Sequence, residues 1–222
     1  MRVVAESFSW PFRGEWKSSW IPGLLAVLLL PIAFIPLLGY AIAATRAAEV
    51  DAAIGPPKWA VSGRLLSDGL WTSVAVVLFT APFALALNSL AGWLLNAHLW
   101  HVTDVPVSEL YAHVVAAFLL ALPWGLLLLI HMPHATGRFA DSGRALDLFD
   151  LPAAIRAVRR DFATWNLVAA AIVTGWVIGL ACVGLLCAGL VPGVFYAILV
   201  SAHASAALHD RERPKGPHSS TR

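Results

Sequence analysis

"LLLPIAFIPLLGY", Leu28–Tyr40, lies inside an uncharged run that starts after Lys17 and stops at Arg46. Two prolines and a glycine interrupt an otherwise lipid-soluble stretch. Either this run crosses a membrane once, or it enters and returns to the side it left. Which of the two holds decides the topology of everything downstream.

That a membrane is involved follows from composition. The 222 residues are 59% hydrophobic and 13% charged, against ~25% charged in an ordinary soluble domain. Four charge-free runs, Ser18–Thr45, Gly69–Thr103, Leu110–Gly137 and Phe162–His209, each exceed the ~20 residues a helix needs to cross hydrocarbon. The expected fold is all-α: a polytopic helical membrane protein. Its start, "MRVVAESFSWPF", lacks the compact apolar core and small-residue cleavage site of a signal peptide, so the first membrane segment is expected to serve as an uncleaved targeting signal. Cys182 and Cys187 are five residues apart on one apolar run. They point in different directions on a helix, which disfavours a disulfide or shared metal and favours plain packing.

The positive charges choose between the two topologies. The fifteen lysines and arginines divide as three before the first run (Arg2, Arg13, Lys17), three in Arg46–Asp68 and none in His98–Glu109. Five more lie in Arg138–Asp161 and four in the tail. The last run, 48 residues long, makes two crossings if "CAGLVPG" (Cys187–Gly193) is its turn, since prolines and glycines break helices. A single first crossing splits the basic residues three against twelve; a fold-back puts all fifteen on one face, as the enrichment of lysine and arginine in cytoplasmic loops demands. The arms Trp20–Leu30 and Ile35–Thr45, eleven residues each, reach only about 16 Å, too short to span. Irregular backbone at that depth requires cover from other helices. The alternative is one long, tilted, proline-kinked helix with the N-terminus outside.

The expected plan is one integral domain over residues 1–209. It comprises an interfacial segment 3–17, the proline-broken re-entrant pair 18–46, spans 70–97 and 110–132, an interfacial helix 150–161 and a hairpin 165–208. A disordered cytoplasmic tail, 210–222, follows. In "DLPAAIRAVRRDF", Asp150 suits a helix cap and Pro152 its first turn. Leu151, Ile155, Val158 and Phe162 mark one face, and Arg156, Arg159 and Arg160 the other. Such a cationic amphipathic helix is expected in the plane of anionic headgroups. The alternative is a helix docked on the bundle. Trp10, Trp16, Trp20, Trp59, Trp71 and Trp165 cluster at the expected cytoplasmic boundary, with Trp93 and Trp100 at the outer one, as in an aromatic belt. Trp124 and Trp176 lie deeper.

Several of these residues carry a resemblance. "WPFRGEW" (Trp10–Trp16), "GY" (Gly39–Tyr40), "PPKW" (Pro56–Trp59), "SDGL" (Ser67–Leu70), "GRALDLFDLPAAIRAVRR" (Gly143–Arg160) and "YAILVSAH" (Tyr196–His203) make the chain similar to domain-of-unknown-function family 4013 (DUF4013), prokaryotic membrane proteins of unknown function. The similarity spans most of residues 7–209. Pro56–Pro57 stand where the family commonly has Leu-Pro. The resemblance implies a bacterial or archaeal cytoplasmic membrane and transfers no catalytic residue.

Chemistry-bearing residues are sparse. His98 and His101, with Asp104 and with His113 beyond, form a candidate metal or chlorin site by i, i+3 spacing. His131 and His134, with His203 and His209, form a second group. Helix capping and headgroup contact are the commoner uses of such histidines, and no cofactor is expected. No glycine-framed serine, phosphate loop or intramembrane carboxylate pair suggests an enzyme, so none is expected. The deepest polar side chains are Thr80, Asn88 and Asn96, with Asn88 expected to bond a neighbouring helix. Small-residue stripes occur at Ala117, Ala121, Gly125 and at Ala171, Gly175, Gly179, where backbones can approach closely. The two stripes are expected to satisfy each other, or one to dock a partner.

The function expected from these features is non-catalytic: a structural or accessory subunit, or scaffold, of a larger membrane complex. Respiratory or photosynthetic assemblies are one setting. Expected partners are anionic lipid headgroups and other integral membrane proteins, not nucleic acid. The expected location is the bacterial inner membrane, with both termini cytoplasmic. The alternative is a small-solute transporter or channel built on the interrupted pair.

Overall fold

The computed structural model describes residues 2–96, 107–182 and 189–212. Every regular element among them is helical. These are α1 (Arg2–Ser9), α2 (Trp16–Leu28), α3 (Leu30–Asp51), α4 (Gly63–Asn96), α5 (Val107–Ser142), α6 (Leu151–Arg160), α7 (Phe162–Ala181) and α8 (Leu190–Glu212), with 3-10 turns at Trp10–Phe12 and Ala145–Phe149. Five stretches among the described residues are long and apolar enough to cross a membrane: Leu30–Asp51, Gly63–Asn88, Tyr111–Ser142, Phe162–Ala181 and Leu190–His209. The protein is all-α and multi-pass in character. It divides into two compact units, Met1–Ser73 with Ile130–Arg222, and Val74–Leu129.

In the first unit the opening apolar run folds back. Ser19 near the start of α2 and Tyr40 in α3 both donate hydrogen bonds to the Pro57 carbonyl, each at 2.8 Å. A straight helix would hold those residues ~31 Å apart. The segments flanking the run also meet. Arg13 Nη1 donates to Ala52 O at 3.1 Å, and Lys58 Nζ lies 2.6 Å from Glu15 Oε2. The two ends of the run therefore lie side by side.

The break lies elsewhere than Pro31 and Pro36 suggest. It is the single residue Leu29, whose N–H closes α2 onto Leu25 O and whose carbonyl opens α3 by accepting from Ala33 N. Pro31 sits in the first turn of α3, where a missing N–H costs nothing. Pro36 is carried inside the helix. The arms are thus longer than the expected 20–30 and 35–45, and α3 runs on to Asp51. Around the tip Ile21, Leu25, Leu28, Leu29 and Ile32 are exposed, a surface suited to lipid and not to water.

α8 is the axis of this unit, packing on α7, α3, α2 and α1. Trp10, Val27, Leu37, Tyr40, Phe195 and Leu199 share one buried cluster. α8 starts at Leu190, so Pro192 and Gly193 belong to its first turn, where Pro192 removes no ladder bond. The connection therefore ends at Gly189 and not at Gly193, and residues 183–188 lie outside the described residues. At the other end α8 reaches Glu212, so the expected tail begins later than 210; residues 213–222 lie outside the described residues. α4 begins at Gly63, not 70, with Ser62 Oγ accepting Leu65 N–H at 3.2 Å. α5 runs past 132 to Ser142 and stops at Gly143, whose φ of 68° suits a helix-ending glycine.

In the second unit, Phe83 and Trp124 stack with ring centroids 4.3 Å apart. Around them Leu85, Tyr111, Phe118, Leu119 and Leu122 are exposed.

Candidate functional site

The motifs that set this chain apart converge on the mouth of the folded-back pair. Trp10 is fully buried and stacks on His203, 5.4 Å between centroids. His203 Nδ1 and Ser7 Oγ share a 2.9 Å hydrogen bond that pins α1 to α8. The next residues turn back sharply, and Trp20 Nε1 donates to Pro11 O at 2.9 Å. Phe12 stacks between Trp20 and Tyr196, at 5.2 and 5.8 Å.

Gly14, at φ 58°, and Gly55, at φ 88°, lie against each other's strands of chain. A Cβ on Gly14 would run into Ile54 O, and one on Gly55 would meet Arg13. Tyr40 stacks on Trp59 at 4.3 Å, nearly parallel, and on Phe195 at 6.0 Å. "WPFRGEW", "GY" and "PPKW" are thus one aromatic and proline clamp. The Glu15–Lys58 pair on its rim is exposed on both sides and contributes little.

A second fixture links α3, α4 and α5. Arg46 Nε donates to Ala140 O at 2.9 Å and its Nη2 to Asp68 Oδ2 at 3.1 Å. Just above, α3 and α4 cross at glycines: a Cβ on Gly39 would hit Leu65 O, and one on Gly69 would hit Ile35 O. Asp68 and Gly69 explain "SDGL".

The third fixture mounts α6. Arg138 reaches Asp147 Oδ1 at 2.7 Å and Asp150 Oδ2 at 3.1 Å, while Ser142 Oγ donates to Asp147 Oδ2 at 2.5 Å. His131 Nε2 donates to Leu148 O at 2.8 Å. Asp150 Oδ1 caps α6 by accepting Ala153 N–H at 3.0 Å, as its place before Pro152 suggests. That bond, and then Arg138, hold the Asp150 carboxyl below the usual carboxylate range against the opposing effect of burial. The helix so mounted touches protein through Ala154, which is fully buried, while Ile155 and Phe162 at its apolar edge remain exposed. Arg156, Arg159 and Arg160 are all exposed.

The remaining sequence candidates fall out as follows. His98, His101 and Asp104 lie outside the described residues. His131, His134 and His203 are buried, and His209 lies 3.5 Å from Asp141 Oδ2. Among the described residues no three histidine, cysteine or acidic side chains are placed to hold one metal ion. Asn88 is exposed on α4.

Ala171, Gly175 and Gly179 are buried, and their neighbour is α8, not the other stripe. A Cβ on Gly175 would come within 3.0 Å of Val200 Cγ1, and one on Gly179 would meet Gly193 O. Helices consecutive in sequence are usually adjacent in space, which is why α8 takes that face. Ala117, Ala121 and Gly125 are half-buried, and a Cβ on Gly125 would meet nothing within 4 Å among the described residues. The Arg46–Asp68 and Ser7–His203 links escaped sequence reasoning because pairs 22 and 196 residues apart leave no mark in local spacing.

Comparison with curated proteins and with solved structures finds no match for this chain. A family model does match, over residues 23–188, a shorter stretch than the 7–209 of the motif resemblance. It includes Gly39–Tyr40, Pro56–Trp59, Ser67–Leu70 and Gly143–Arg160, so two of the three fixtures lie wholly within it. The chain with the clamp at the mouth of its folded-back pair belongs to the family "Protein of unknown function (DUF4013)".

Proposed function

We propose that this protein is a non-catalytic integral membrane subunit, a scaffold or accessory component of a larger membrane assembly. We place it in the bacterial cytoplasmic membrane with both termini and the basic connections on the cytoplasmic side. One observation carries the reading: the most apolar window of α5 has no buried residue, yet it bears the Ala117, Ala121, Gly125 stripe. Small residues on a face that is only half covered suit close approach by another helix. By contrast Ser7, Tyr40 and Arg46 fasten separate elements of the first unit to one another. α6, with three exposed arginines and an uncovered apolar edge, suits the anionic headgroup layer.

The transporter alternative needs unwound backbone to bind solute and coupling ions. The break in the first pair is one residue long, and both its N–H and its carbonyl are engaged by neighbouring turns.

Mild solubilisation and affinity purification test the proposal. Other membrane proteins should co-purify in fixed ratio, and Gly125→Leu should deplete them while leaving the protein itself folded. Recovery of the protein alone, together with solute flux in proteoliposomes, would overturn it.

A further inference from the structure

At the charged end of the first unit, α3, α4 and α5 leave a cavity of about 350 Å³. That is at the small end of the ~300–1,000 Å³ typical of ligand sites. Its lining is Arg46, Glu49 and Val50 from α3, Arg64 from α4, and Ala140 and Asp141 from α5. The three α3 residues share one helical face by their i, i+3, i+4 spacing.

Arg46 is a fixed element of this wall. Ala140 O and Asp68 Oδ2 engage two of its N–H groups, out of the five a guanidinium carries. Arg64 is exposed and offers a second, adjustable guanidinium. Glu49 and Asp141 bring two carboxylates to the same lining, Asp141 also facing His209 Nε2 at 3.5 Å. Val50 adds an exposed apolar edge.

Two cations and two anions around one small space select against simple ions of either sign. A pure anion meets Glu49 and Asp141, and a pure cation meets Arg46 and Arg64. A small zwitterion carrying phosphate and ammonium satisfies both pairs: guanidinium groups suit phosphate oxygens, and carboxylates accept ammonium N–H bonds. Depth points to the source. The cavity lies where the apolar stretches of α3 and α5 end and that of α4 begins, the level at which a bilayer presents its headgroups.

We propose that this cavity binds the phosphoethanolamine headgroup of a zwitterionic phospholipid. Its phosphate lies toward Arg46 and Arg64, and its ammonium toward Glu49 and Asp141. A choline headgroup, with no N–H to donate, binds less well. This inference stands independently of the scaffold reading.

The test uses the full-length protein in nanodiscs of equal phosphatidylethanolamine, phosphatidylcholine and phosphatidylglycerol, with retained lipid counted by native mass spectrometry. Phosphatidylethanolamine should be retained over phosphatidylcholine by about tenfold, the effect of one charged hydrogen-bond partner. The near-isosteric Glu49→Gln should remove most of that preference, and Arg64→Ala should lower retention of both zwitterionic lipids alike, while circular dichroism and elution volume stay unchanged. Equal retention of the two lipids, a preference for phosphatidylglycerol, an undiminished preference in Glu49→Gln, or unchanged lipid retention in Arg64→Ala would overturn the proposal. Release of the lipid by millimolar glycerophosphoethanolamine would assign the site to a soluble zwitterion and overturn the lipid assignment.

Discussion

The two units of this chain are held by different forces. Residues 1–73 with 130–222 contain all fifteen lysines and arginines; residues 74–129 contain none. In the first unit, guanidinium groups reach across helices to carbonyls and carboxylates, and glycines let backbones touch. The second shows a Phe83–Trp124 stack amid exposed leucines, valines and aromatics. In hydrocarbon, apolar surface gives no drive toward burial, so close packing and hydrogen bonds must supply specificity. The first unit has both within itself. The described residues of the second include many exposed apolar side chains, which is why a partner surface is sought there.

The sharpest way to break this contrast is a pair of glycine substitutions. Gly39→Leu drives a side chain into the Leu65 carbonyl, where both walls are helix backbone. It should destabilise the protein by about 3 kcal/mol or more, the upper range for overpacking, and abolish a monodisperse elution peak. Gly125→Leu meets open space among the described residues and should stay within ~0.5 kcal/mol of wild type in detergent, as surface changes do. Equal damage from both, read as thermal midpoint, would erase the distinction.

Arg138→Ala should have the next largest effect. It strips two carboxylates of their partner; Asp147 is 9% exposed, though the arginine itself is 31% exposed. Allowing for that screening, a loss of about 1–3 kcal/mol is expected, with faster amide exchange confined to α6 and the turn before it. Exchange spreading through residues 74–88 would show that the two units are not separately held.

The smallest effect comes from pH. The Asp150 carboxyl is held below its ordinary range in the folded protein, so its contribution is fully present above the unfolded value of ~4. It is lost as pH falls through the lowered folded value. Protection factors for the first turn of α6, corrected for intrinsic exchange, should therefore drop under acid while those of α7 hold. Asp150→Asn, still able to cap but without charge, should flatten that dependence.

How much of this was legible before any coordinates depended on whether a signal is local or paired. The one-sided distribution of lysine and arginine pointed to the fold-back, and Arg13–Ala52 and Ser19–Pro57 show it as geometry. The membrane side it faces remains part of the proposal. The Asp150 cap was legible because capping is local. The position of the break was not. Pro31 draws attention to itself, yet a proline is harmless in a first turn, and the chain bends two residues earlier at an ordinary leucine. The partner of the Ala171, Gly175, Gly179 stripe was misjudged because a stripe states that something comes close without naming it. The candidate site at His98, His101 and Asp104 falls outside the described residues.

The role of α8 has a consequence for how the chain is made. Ser7 waits on His203, Phe8 O on the Tyr196 hydroxyl, and Gly23 on the ring of Phe195. α1 and α2 therefore find their permanent neighbours in an element that is synthesised much later, with Ser7 and His203 separated by 196 residues. Contacts of such sequence separation form late, so the folded-back pair must be sheltered by lipid or an insertion factor until α8 has been made. Ribosome-bound chains ending before Leu190 should hold that pair open to labelling, and chains extended past His209 should close it.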